Sequence, residues 1–193
     1  MKNSPTLYII AGANGSGKTT FALQFTSQHN LPFINADEIA KSINPGNLEK
    51  AKIQAGRVFF SELEAHLKKG QSFAIESTLS GHYLVKIIAT AKSMGFYIQL
   101  IYLFLDDPVM NTSRVKARVL TGGHNVPEAD IIRRFYRSRI LFWKTYQNLC
   151  DQWILVYNSD ESFEEVAYGA SAGTTILEPL LFDNFTKGLT HDT

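Results

Sequence analysis

Gly12-Ala13-Asn14-Gly15-Ser16-Gly17-Lys18-Thr19 is the stretch whose reading decides the fold. Two glycines with four residues between them, then Lys and Thr, is the spacing of a phosphate-binding loop. Its setting agrees. Residues 7–11 are a short apolar run between Pro5 and Gly12, which predicts a buried strand. From Thr19 to His29, Phe21, Ala22 and Phe25 recur at helical spacing. A strand, a glycine turn and a helix in that order aim successive amides and the positive helix end at one oxyanion. Lys18 is expected to reach the β- and γ-phosphates of ATP, and the Thr19 hydroxyl to take a position on Mg²⁺. Ala13, Asn14, Ser16 and Thr20 complete the nucleotide-binding stretch. No G-x-G-x-x-G is present, so the loop is not a dinucleotide fingerprint.

Outward from the loop, strand and helix signals alternate. Residues 33–34 read as a second strand closed by Asn35-Ala36-Asp37, followed by a brief helix that ends before Pro45. Residues 48–69 predict a long helix with Ile53, Phe60, Leu63 and Leu67 on its buried face and Gly70 as its stop. A third strand over residues 72–75 leads to Glu76, and Leu84, Ile87, Ile88 and Ala91 mark the next helix. Residues 96–105 are the longest strand signal, stopped by Asp106-Asp107-Pro108. A basic helix over 109–119 comes next, then the turn-rich 121–126, then a helix opened by Pro127 and carrying Ile131, Phe135, Phe142 and Leu149. Residues 153–157 supply a fifth strand, and 163–178 read as a hairpin. The pattern predicts an α/β fold of the P-loop NTPase type: one domain over 1–193, with a five-stranded parallel sheet, helices on both faces and a basic lid over about 109–140.

Composition narrows the function. The chain has 193 residues, 45% hydrophobic and 19% charged, enough for one filled core. A net charge of +1 argues against a nucleic-acid binder. The single Cys150, beside Leu149 and near Trp153, reads as a core residue and forbids an intrachain disulfide. No apolar run approaches the roughly 20 residues of a membrane span, and no signal peptide is evident, so a cytoplasmic protein is expected. The absence of Asn-Lys-x-Asp counts against a GTPase, and the small size counts against motor and helicase ATPases. A small-molecule kinase is the reading that remains.

Phosphoryl transfer needs a group to take the acceptor's proton and cations to meet the moving charge. Asp37, just past the second strand, should stand beside the phosphates as the base; its alternative is a helix N-cap. Glu76 ends the third strand at the same sheet edge, suited to metal positioning or substrate hydrogen bonding, with Thr78 two residues on. Asp106 resembles the carboxylate that closes a Walker B strand, although Asp-Asp-Pro is also an ordinary strand-to-helix turn. Arg114, Lys116, Arg118, Arg133, Arg134, Arg137 and Arg139 face only Glu128 and Asp130 in that stretch. Two basic helices flanking Gly122-Gly123 suit a lid that closes over phosphates, with a solvated basic face as the alternative. His124, in the turn, is placed to touch phosphate or substrate.

Residues 12–20, Phe33-Ile34-Asn35-Ala36-Asp37, Ile75-Glu76-Ser77-Thr78-Leu79 and Gly122-Gly123-His124-Asn125-Val126-Pro127 together resemble the zeta toxin family. Ile132-Arg133-Arg134-Phe135 and Asn158-Ser159 continue the same order, so the resemblance covers roughly residues 7–160. It implies a nucleoside-monophosphate-kinase-like fold and ATP- and Mg²⁺-dependent phosphorylation of a small acceptor, for well-known members UDP-N-acetylglucosamine. It also implies an antitoxin partner. By motif, Lys18 would bind phosphate, Asp37 would be the base, Glu76 and Thr78 would face the acceptor, and Arg118 would be the lid arginine nearest the transferring group. Arg134 and His124 would complete the substrate side. The chain departs from the family at Ser80, where the toxins commonly carry Arg, and at His124, where their second lid arginine falls. Two rivals stand beside it: a kinase for a nucleoside, an antibiotic or another small alcohol, and a non-catalytic module that holds ATP and signals to a partner.

Overall fold

The computed structural model describes residues 4–123, 125–159, 162–187 and 189. The first strand, β1 (Thr6–Ala11), is buried on both sides, as a central parallel strand must be. It lies between β3 (Phe73–Ser77) and β4 (Tyr97–Phe104), parallel to both. The short β2 (Phe33–Ile34) pairs outside β3, and β5 (Gln152–Asn158) pairs outside β4, so five strands run parallel in the order β2-β3-β1-β4-β5. The expected five-stranded sheet is larger by two strands. The C-terminal hairpin β6 (Phe163–Ala170) and β7 (Gly173–Ile176) adds to β5 in antiparallel fashion.

Alternation along the strands splits the core into two layers. Leu7, Ile9, Leu100, Tyr102 and Leu155 face the larger layer, and Ile10, Ile101, Leu103 and Val156 face the smaller one. The smaller layer is closed by Phe21, Ala22 and Phe25 of α1 (Lys18–His29). The larger is closed by α3 (Leu48–Lys69), α4 (Tyr83–Ser93) and α6 (Glu128–Lys144). Between them in the chain lie α2 (Ala36–Ile43) and α5 (Pro108–Leu120). Every strand of the parallel set ends its run at one edge, and the loops there carry the polar residues that form the cleft.

Three expectations change. In α3 the inward row is Ala51, Ala55, Phe59, Leu63 and Leu67, while Ile53 is 76% and Phe60 48% exposed. Both rows fit a helical repeat, and small alanines win where α2 packs close. Leu149 does not extend α6, because the helix ends at Lys144 and a short 3₁₀ turn, Tyr146–Asn148, intervenes. Arg139 is not a lid residue. It is buried in α6, stacked on Phe135 and Phe185, and donates to the carbonyls of Asn184 and Phe185 in α7 (Pro179–Thr186).

Thus α6 and α7 are riveted together. Phe185 is fully buried among Tyr102, Phe104, Phe142 and Trp143. At the hairpin Gly169 lies flat on the Trp153 indole, where any side chain would collide with the ring. Cys150 packs half-buried against the same core, and burial pushes its thiol up to about 12, as befits a structural residue. No helix of the described residues is long and apolar enough to cross a membrane.

Candidate active site

The phosphate loop hangs between the ends of β1 and β3, with the Gly12 amide donating to the Ser77 carbonyl at 3.3 Å. Gly17 opens α1 in the left-handed region (φ 88°), and a Cβ there would strike the Asn158 amide. No side chain caps α1 and its first turn holds no acid, so its amides face the cleft. Asparagines brace the loop from behind. Asn158 Nδ2 donates to the Ser16 carbonyl at 2.9 Å, and Asn111 Nδ2 to the Asn14 carbonyl at 2.7 Å. Arg134 Nη1 donates to Asn14 Oδ1 at 3.0 Å.

Lys18 is buried, donates to the Ala13 carbonyl at 2.8 Å, and lies 3.9 Å from the Glu76 carboxylate. Burial pushes its ammonium below the usual lysine range, opposed by the carboxylates of Glu76 and Asp37. Glu76 accepts from Thr19 Oγ1 at 2.9 Å and from Asn35 Nδ2 at 2.8 Å. Burial raises its carboxyl above the ordinary value, while Lys18 and the Thr19 hydroxyl pull it back. A hydroxyl and a carboxylate held together beside the phosphate loop are the hard oxygen donors that Mg²⁺ requires. Thr19 and Glu76 therefore fit a metal ion.

Asp37 is not the N-cap of α2. Asn35 is, its Oδ1 accepting from the amides of Asp37 at 2.8 Å and Glu38 at 3.3 Å. That leaves the Asp37 carboxylate exposed at the cleft. Asp106 is exposed and does not appear among the described residues lining the cleft, and its neighbour Asp107 caps α5 through the Val109 amide at 2.7 Å. The carboxylate beside Thr19 is Glu76.

The cleft holds about 1080 Å³ and runs from the loop past Arg114, Arg118 and Gly122-Gly123 to Asn158 and Phe163. Beside it a chamber of about 250 Å³ is lined by Ser80, Tyr83, Lys52 and Arg134. Asn14, Asn35, Asp37, Glu76 and Thr78 line both. They form the wall between a phosphate site and a second, smaller site. Thr78 Oγ1 and Ser80 Oγ lie 2.9 Å apart.

Of the basic stretch, Arg114 and Arg118 face the cleft and Arg134 the chamber. Arg114 also donates to the Asn158 carbonyl at 3.2 Å. Lys116–Glu128 and Arg133–Asp130 are exposed ion pairs, which fit a solvated face. His124 lies outside the described residues. Sequence reasoning missed Asn111, Lys52 and Tyr83, whose role depends on contacts across the chain. Asn35 and Asn158 carried a signal, since each sits at the end of a strand on the polar edge.

Comparison with known proteins bears on the family and the fold. The family described as Zeta toxin matches over residues 1–166. A protein of Haemophilus influenzae described as uncharacterized is 39% identical over 136 residues, which is 70% of this chain and 94% of that protein. Among solved structures, an AvrRxo1-ORF1:-ORF2 complex with ATP is similar over 100% of this chain and 67% of that chain, with TM-score 0.74 and 17% identity. The PezAT chromosomal toxin-antitoxin system of Streptococcus pneumoniae is similar over 98% of this chain and 82% of that chain, with TM-score 0.69 and 17% identity. These two likenesses speak for the fold.

Proposed function

The chain belongs to the zeta toxin family and is a P-loop kinase-type phosphotransferase, and we propose that it transfers the γ-phosphoryl group of ATP to a hydroxyl of a small acceptor held in the chamber. The observation that carries this reading is the shared wall: Asp37, Glu76 and Thr78 face the phosphate cleft and the chamber at once. The acceptor oxygen attacks the γ-phosphorus, its proton passes to the Asp37 carboxylate, and the bond to the β-phosphate oxygen breaks to release ADP. Lys18 and the α1 amides meet the charge on the phosphates, and Arg118 approaches from the lid side. Thr19 and Glu76 would hold Mg²⁺, which would supply charge neutralisation on the phosphates. Asp37 is suited to its role because Asn35 has taken the capping duty and the carboxylate stays exposed at the cleft.

For the acceptor we propose a UDP-sugar, with UDP-N-acetylglucosamine first, on the strength of the family. A protein partner of antitoxin type belongs to the same reading, since the PezAT structure is of a toxin-antitoxin system. A second reading, a different small alcohol, is favoured by Ser80, which lines the chamber and pairs with Thr78 where an arginine is common in the family. Mass spectrometry of acceptor pools incubated with protein, ATP and Mg²⁺ decides between them. One added phosphate on a UDP-sugar supports the first, on another alcohol the second. ATP bound but never consumed by any pool would leave only a nucleotide-holding module.

A further inference from the structure

Tyr83 stands at the chamber without a part in the phosphoryl transfer itself. It opens α4, and its hydroxyl lies 2.9 Å from Ser77 Oγ. Ser77 Oγ in turn accepts from the Leu79 amide at 3.0 Å. Leu79 is fully buried with φ 52°, a conformation that is strained for a non-glycine residue and persists only where its surroundings hold it. A second tyrosine, Tyr146, donates to the Gly81 carbonyl at 2.5 Å from the core side. The turn over residues 77–82 is therefore latched at both ends, and between the latches it presents Thr78 and Ser80 to the chamber.

The ring of Tyr83 does something separate. It lines the chamber and is backed edge-on by Phe60 of α3, with centroids 6.3 Å apart and planes at 88°, while Phe60 leans on Phe59 at 5.6 Å. This explains why Phe60, half-exposed and off the buried row of α3, is aromatic: it props a wall. The chamber opens beside the cleft, and its volume of about 250 Å³ falls below the roughly 300–1,000 Å³ that drug-sized ligands occupy. One ring-sized group is enough to fill it.

We propose that Tyr83 is a specificity-determining residue: its ring limits the chamber to a single hydroxylated ring of monosaccharide size, and its hydroxyl, through Ser77, holds the turn that presents Thr78 and Ser80 to that ring. Any larger remainder of the acceptor lies at the mouth, where Lys52 and Arg134 line the wall and suit an anionic substituent. The inference rests on the kinase reading and names the part of the acceptor that enters.

The test measures ATP-dependent transfer to four probes: water, glycerol, N-acetylglucosamine and UDP-N-acetylglucosamine. Wild type, Tyr83→Phe and Tyr83→Ala are compared, each transfer rate taken relative to that of water. Tyr83→Phe keeps the wall and loses the latch. It is expected to keep the ranking of probes and to raise the KM of the best probe several-fold, with the KM of ATP held. Tyr83→Ala removes the wall and is expected to flatten the ranking by tenfold or more. A merely structural role would shift all four rates by one factor in both variants, and that result overturns the inference while leaving the kinase reading intact. Wild-type protein that transfers to no probe faster than to water overturns the inference, whereas the kinase reading falls only if no acceptor pool consumes ATP.

Discussion

Lys18 and Glu76 oppose each other's burial. The raised carboxyl of Glu76 contributes stability below its ordinary value of 4.5, and that contribution is lost as pH rises through the folded value. The lowered ammonium of Lys18 contributes stability above 10.5, lost as pH falls through its folded value. At neutral pH both groups are held against burial by each other, and phosphate oxygens relieve the lysine. Lys18→Ala is therefore expected to act twice. Phosphoryl transfer should fall by two or more orders of magnitude, about 3 kcal/mol or more of transition-state stabilisation. The Glu76 carboxyl should titrate still higher, because its foremost opposing charge is gone, as ¹³C NMR of the side chain would report. Asp37 and Asn35 separate chemistry from capping in the same way. Asp37→Asn should abolish turnover and leave ATP binding by calorimetry and the melting curve nearly unchanged. Asn35→Ala should cost about 1 kcal/mol or more in a denaturant titration, since it strips both the α2 cap and a partner of Glu76.

At the scale of elements, the helices α5 and α6 bring opposite ends of the basic stretch to different jobs. Arg118, exposed and facing the cleft one turn before Gly122-Gly123, is expected to act as the lid closes. Arg118→Ala should lower kcat more than it weakens ATP binding, and Lys should restore it only in part, because a point charge lacks the planar fork. Equal losses in both would make Arg118 a simple nucleotide contact. The glycine spacing of 12–19, the apolar runs and the residues just past each strand are local signals, and they suffice for the parallel sheet and for the edge where Asp37 and Glu76 stand. Arg139 reads like its neighbours because charge is local information, whereas its burial is decided by α7, some 45 residues on. The α3 face misleads for a related cause: Ile53 and Phe60 are as apolar as the alanines are small, and only the close approach of α2 selects the alanine row. Tyr83 has no sequence signature at all, since a wall exists only once two helices and a turn meet.

The whole molecule is a nucleotide half with a C-terminal addition docked on the far strands. The family match ends at residue 166, and both β7 and α7 lie beyond that point. This addition is expected to be part of the cooperative fold, because Phe185 is fully buried in the larger core and Arg139, among the described residues, donates to α7 carbonyls. Phe185→Ala should cost about 3–5 kcal/mol, a fall of roughly 6–20 °C in Tm, whereas Leu180→Ala, at a site 82% exposed, should stay within about 0.5 kcal/mol. Scanning calorimetry on both variants checks the contrast. The chain has two tryptophans, and both sit at this junction: Trp143 edge-on to Phe182 and Phe185, Trp153 beneath Gly169. Neither lines the cleft among its described residues. The protein thus carries a built-in optical reporter of one seam, so that in a denaturant series its ultraviolet emission tracks the undocking of the C-terminal addition, while loss of ATP binding tracks the other half; the gap between the two curves measures how tightly the halves are yoked.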